Sequence, residues 1–132
     1  MGLDMYAWRC KQSEVIDDFN VAKPSSDDQS YMQDFELHYW RKHHDLHGWM
    51  AKLYKTKGGP KSEFNCAAMR LYTEDLDALE KAVVMCELPQ TTGFFFGENP
   101  PDDGSMRNDL KFIVKAREAI AAGDAVYYDS WW

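Results

Sequence analysis

The chain has 132 residues, a formal net charge of −7 and a pI near 5.0, which is one domain's worth of chain. Hydrophobic residues make up 45%, with five Trp, seven Tyr and seven Phe, a composition that disordered chains lack and a packed core requires. No Lys/Arg-rich run is present to release phosphate counterions, so direct nucleic-acid binding is not expected. No apolar stretch approaches the length of a membrane span, so no membrane association is expected either.

Leu3 to Arg9 alternates as a half-buried strand would, with Leu3, Met5 and Ala7 on one side and Tyr6 and Trp8 on the other. Residues 10–33 are polar and read as a long loop, with a short ordered piece around Val15 to Val21. Asp34 suits the cap of a helix from Phe35 to about Thr56, stopped by Lys55, Lys57 and then Gly58-Gly59-Pro60. Phe64 to Tyr72 reads as a strand leading to Thr73, the N-cap of a second helix. Glu74 and Asp75 favour its positive dipole end. Leu76, Leu79, Ala82, Val83 and Cys86 give that helix its apolar stripe, and Pro89 closes it.

A second long loop covers about 87–104, and Ser105 then caps a third helix through about Ala122. Ile113, Ala116 and Ile120 face its core side and Gly123 stops it. Ala125 to Tyr128 is a last strand. The expected fold is α+β: one domain with a small mixed or antiparallel sheet packed against about three amphipathic helices.

The three cysteines, Cys10, Cys66 and Cys86, match no zinc or CxxC spacing. The opening Met-Gly-Leu-Asp-Met-Tyr lacks a basic region followed by an apolar run, and Tyr6 breaks a myristoylation pattern. Reduced thiols in a cytoplasm are therefore expected, with Cys66 and Cys86 as core thiols.

All four histidines fall within the long helix expected over 35–56. On its wheel Tyr39, Trp40, Leu46, Trp49, Met50, Leu53 and Tyr54 share one half. Glu36, His43 and His47 lie inside that arc, His38 and His44 on its flanks, and Arg41 points away. His43 and His47, one turn apart, could reach a single transition metal, although a zinc site needs further ligands that the sequence does not supply. Polar groups satisfied at the core edge are the plainer reading. A pocket using His47 as acid, base or donor is the third. No cofactor motif is evident.

The second long loop holds Gly93-Phe94-Phe95-Phe96-Gly97, which lacks the Gly-Lys-Ser/Thr of a phosphate loop. Either Phe94, Phe95 and Phe96 fold back and pack, or they form an aromatic platform for a partner, to which Trp131 and Trp132 would add.

Met-Gly-Leu-Asp-Met-Tyr, Glu-Leu-x-Tyr-Trp-Arg-Lys with a following His-x-Trp, and Leu-Pro-x-Thr-x-Gly-Phe-Phe-Phe-Gly together resemble a family of small proteins of tailed bacteriophages and their bacterial hosts. The resemblance spans most of the chain in order. It carries over to Asp4, Tyr6, Glu36, Trp40, Arg41, His47, Trp49, Gly93, Phe95 and Gly97. His44 stands where Asn is more usual, which leaves Glu36 and His47 as the better pair. The resemblance implies host cytoplasm and no particular reaction.

The expectation is an accessory protein without catalysis, binding or inhibiting a host or phage macromolecule, with a protein as partner. The rival is a small-molecule or metal-dependent enzyme using Glu36, Arg41 and His47, with Asp4 or Tyr6. A third reading is an acidic mimic of nucleic acid. A homodimer through the aromatic patch is compatible with all three.

Overall fold

The computed structural model describes residues 3–12, 15–20, 36–41, 43–61, 63–64, 67–88 and 103–131, with the backbone alone for 103–105. Among these the chain order is β1 (Asp4–Lys11), β2 (Glu36–Arg41), α1 (His44–Thr56), β3 (Met69–Leu71), α2 (Thr73–Val84), α3 (Asp103–Ala121) and β4 (Asp124–Trp131). The strands form one sheet in the order β2-β1-β4-β3, and every neighbouring pair is antiparallel. The fold is α+β, with the sheet antiparallel throughout.

Alternation along β1 sorts its side chains as the sequence indicates. Met5 and Ala7 are fully buried on the helix side, while Tyr6, Trp8 and Cys10 point the other way. Opposite them β4 places Tyr128 and Val126 on the helix side and Tyr127 and Ala125 on the far side. The helix side is the main core. It joins Leu46, Met50 and Tyr54 of α1, Leu76, Leu79 and Val83 of α2, and Phe112, Ile113, Ala116 and Ala119 of α3 to the sheet. All three helices therefore lie on one face. Ile120, expected in the buried stripe of α3, is only partly buried at its rim.

The largest correction concerns the helix expected over 35–56. Residues 36–41 are a strand, β2, paired with β1 through Asp4↔Arg41, Met5↔Trp40, Tyr6↔Tyr39 and Ala7↔His38. A bulge then brings Glu36 opposite Trp8. The helix begins only at His44, with His43 as its N-cap. Its stop is the expected one: Gly58 takes φ +81°, and the Gly59 N–H donates to the Tyr54 carbonyl at 2.9 Å. Gly123 (φ +94°) ends α3 in the same way.

The cap of α2 is Tyr72 rather than Thr73, with the Asp75 carboxylate accepting from the Tyr72 N–H at 2.8 Å. Cys86 is not in the buried stripe. It is exposed, with φ 55°, and closes the helix, while the Glu87 N–H donates to the Ala82 carbonyl at 2.7 Å; Pro89 lies outside the described residues. The strand expected over Phe64–Tyr72 shrinks to the three residues of β3, and Cys66 lies outside the described residues.

Residues 15–20 form the short ordered piece, an Asp17–Asn20 turn. It runs along the β3 edge of the sheet: the Arg70 N–H donates to the Asp18 carbonyl (2.7 Å), the Tyr127 hydroxyl on the far face donates to the Asp17 carbonyl (2.7 Å), and Phe19 packs edge-on to Tyr54 on the helix side. Val15 packs on the far face against Trp8, Cys10, Ala125 and Tyr127. No helix among the described residues is long and apolar enough to cross a membrane.

Candidate functional site on the far face of the sheet

The histidines belong to the core. His47, in the first turn of α1, is 3% exposed; its ring stacks on Phe64 at 5.3 Å, and a 2.8 Å hydrogen bond joins Nδ1 to the Tyr128 hydroxyl. Burial, then the neighbouring His44, pushes its pKa from 6.5 down to about 4. Burial likewise holds the Tyr128 phenol well above 10.0. Both partners are neutral near pH 7. A general acid or base must titrate near its working pH and reach a substrate proton, and His47 is sealed away from solvent. The pair is a buried tie between α1 and β4.

His43 aims elsewhere. Its Nε2 lies 2.8 Å from Asp109 Oδ2 on α3, and the Trp40 indole N–H donates to Asp109 Oδ1 at 3.1 Å. Asp109 is 1% exposed, so its carboxylate would be costly without such partners. This knot fastens the β2–α1 junction to α3. His43 and His47, although one turn apart, engage different partners. Among the described residues no three His, Cys, Asp or Glu side chains are gathered as a metal site would need. His38, on β2, packs 4.5 Å from Trp40, and its pKa falls to about 4 through burial and then the charge of Lys115.

With β2 a strand, the remaining candidates move to the other side of the sheet. Glu36 and Arg41 are exposed on β2 rather than arrayed on a helix with His47. The register then sets up three rows on the far face. Arg41, Asp4 and Trp131 form the first, Tyr39, Tyr6 and Asp129 the second, and Glu36, Trp8 and Tyr127 the third. Five residues singled out from the sequence thus share one surface: Asp4, Tyr6, Glu36, Arg41 and Trp131. His43 and His47 do not.

The turn at 15–20 covers the third-row end. Tyr39 is 45% and Trp131 64% exposed. The rings are ordered against one another: Tyr6 stacks on Trp8 at 5.1 Å with planes 9° apart, and Tyr39 tilts against Tyr6 at 5.2 Å. The Tyr39 hydroxyl donates to Asp4 Oδ1 at 2.6 Å, and this bond, ahead of burial, pushes its pKa up to about 12. Tyr6 is raised by burial and then by Asp4, Glu36 and Asp129, three carboxylates acting on one phenol. Asp129, 8% exposed, accepts from the Ser130 N–H at 2.8 Å.

Neither nucleophile–base pairing nor a metal set appears on this surface among the described residues. It can offer aromatic faces and negative charge. Sequence reasoning missed Tyr39 and Asp129, because each is placed by pairing with β1. Asp109 was missed because a lone acid in an amphipathic helix looks like a solvated residue. Phe94, Phe95, Phe96 and Trp132 lie outside the described residues. No family model, curated protein or solved structure matches the chain.

Proposed function

We propose that the chain is a non-catalytic binding protein that engages a protein partner through the Tyr39 and Trp131 end of the far face of its sheet. The observation that carries this is the pair of large aromatic residues left to solvent, Tyr39 and Trp131, on ordered strands beside stacked Tyr6. Exposed aromatics on a rigid scaffold are the residue types that dominate binding energy at protein interfaces. The resemblance to small phage and host proteins supports an accessory role, with a host or phage protein as the target. The interior histidines lend no support to catalysis, since His47 and Asp109 serve the core.

The test is capture from host lysate on immobilised protein, comparing the unaltered chain with Tyr39→Ala/Trp131→Ala. Far-UV circular dichroism shows that both are folded. Capture should fall at least tenfold in the double variant. Capture that persists undiminished would remove this surface from the function.

A further inference from the structure

In the strand order β2-β1-β4-β3, β2 is an edge, paired with β1 alone among the described strands. Edge strands are commonly guarded by proline, by lysine or by a charge pointing inward. Glu36-Leu37-His38-Tyr39-Trp40-Arg41 contains neither proline nor lysine, and its centre is aromatic. Its two charges stand at opposite ends. Glu36 and Arg41 are both exposed, and neither forms an ion pair among the described residues. Both lie on the far face, because the bulge at Leu37 returns Glu36 to the side that Tyr39 and Arg41 occupy. Leu37, left out of the pairing with β1, gives its carbonyl to the exposed Lys115 ammonium at 3.4 Å, a long side chain that a backbone N–H can displace.

We infer that β2 pairs antiparallel with β2 of a second copy of this chain, about a two-fold axis at Tyr39, and joins two four-stranded sheets into one. The strand is self-complementary in that register. Tyr39 meets Tyr39 of the second copy and His38 meets Trp40. With the bulge included, Arg41 at each end meets Glu36. Two-fold symmetry makes each unlike pairing twice, so an ion pair closes both ends of an aromatic centre. Asp4 holds the Tyr39 hydroxyl at 2.6 Å and keeps that ring in place. The charge pattern favours a second copy, since any other strand would need the same two charges in the reverse order. This inference goes beyond the docking role proposed above: it sets the Tyr39 and Trp131 ends of two copies side by side on one surface.

The test is the mass in solution, by light scattering on a size-exclusion column, over a dilution series at fixed ionic strength. The unaltered chain should run as a dimer of twice 15.3 kDa. Glu36→Arg and Arg41→Glu each set like charges opposite one another at both ends and should raise the dimer dissociation constant by about tenfold or more. Their equimolar mixture should recover the dimer, since every contact between positions 36 and 41 again joins opposite charges. Trp131→Ala, on β4 two strands in from the edge, should leave the mass unchanged. Far-UV circular dichroism shows that each variant is folded. A mixture as dissociated as the two variants alone, or loss of the dimer in Trp131→Ala, overturns the pairing. An unaltered chain that stays monomeric throughout overturns it too, and leaves the docking surface to its own lysate test.

Discussion

Lowering the pH from 7.5 to 5 should destabilise the fold through His47 before the carboxylates begin to titrate. Burial holds the His47 pKa at about 4 against 6.5 for a free imidazole. The unfolded chain therefore takes a proton that the folded chain refuses. Stability from this group is complete above about pH 6.5 and is lost as the pH falls toward 4, to a limit of about 3 kcal/mol. By pH 5 about 2 kcal/mol should be gone, which lowers the melting temperature by roughly 6–10 °C for a domain of this size. His38, also held at about 4 but only half-buried, adds a smaller share. The assay is urea unfolding followed by tryptophan fluorescence at half-unit pH steps, on the unaltered chain and on His47→Asn. Asparagine can hydrogen-bond Tyr128 from nearly the position of Nδ1 and does not titrate. His47→Asn should start less stable at pH 7.5, having lost the ring stacked on Phe64, and then lose about 2 kcal/mol less on the way to pH 5. Parallel pH profiles for the two proteins would refute the claim that His47 is buried and neutral.

Three further outcomes follow from the packing. Asp109→Ala strips the acceptor from Trp40 and His43 together and should cost about 2–4 kcal/mol, whereas Asp109→Asn keeps one acceptor oxygen and should cost less; denaturant titration at pH 7 separates them, and equal costs would contradict the knot. Phe112→Ala, at a fully buried position edge-on to Trp40, should cost about 3–5 kcal/mol in the same assay. Gly59→Ala drives a methyl into the Tyr54 ring and should cost more than Gly58→Ala, whose added methyl meets open space and pays only for φ +81°; melting temperatures will rank the two.

The readable parts of the sequence were the local ones. Met5 and Ala7 against Tyr6 and Trp8 announced β1, and Gly58 and Gly123 announced the ends of α1 and α3. The junction at residues 42–43 carries neither Gly nor Pro. The apolar spacing from Tyr39 to Tyr54 then runs through it as if one helix were present. Adjacent Tyr39 and Trp40, both good strand formers, were the available signal for β2. Once β2 became a strand, Glu36 and His47 parted to opposite faces, and with them went the pocket drawn between them. The far-face site depends on which residue stands across from which. Asp4 meets both Arg41 and Trp131 through pairings that no window of the chain contains. Asp109 has the same character, since its partners lie on β2 and at the cap of α1.

The central pairing of the sheet has a consequence for how the chain comes to be folded at all. β1 and β4 pair along their whole lengths, from Asp4↔Trp131 to Lys11↔Asp124, the earliest described strand against the latest. A ribosome adding about 5–20 residues per second leaves β1 without this neighbour for roughly 6–25 s. Through that interval Met5, Ala7, Tyr6 and Trp8 have at most β2 beside them, and neither the main core nor the far face can close. Pairing across such a span also makes closure slow once synthesis ends, because the loop entropy is lost before the contacts are gained. Nascent chains halted before Asp124 should therefore be held by chaperones or lost to aggregation, and any change that hastens β4 docking should raise yield more than it raises final stability.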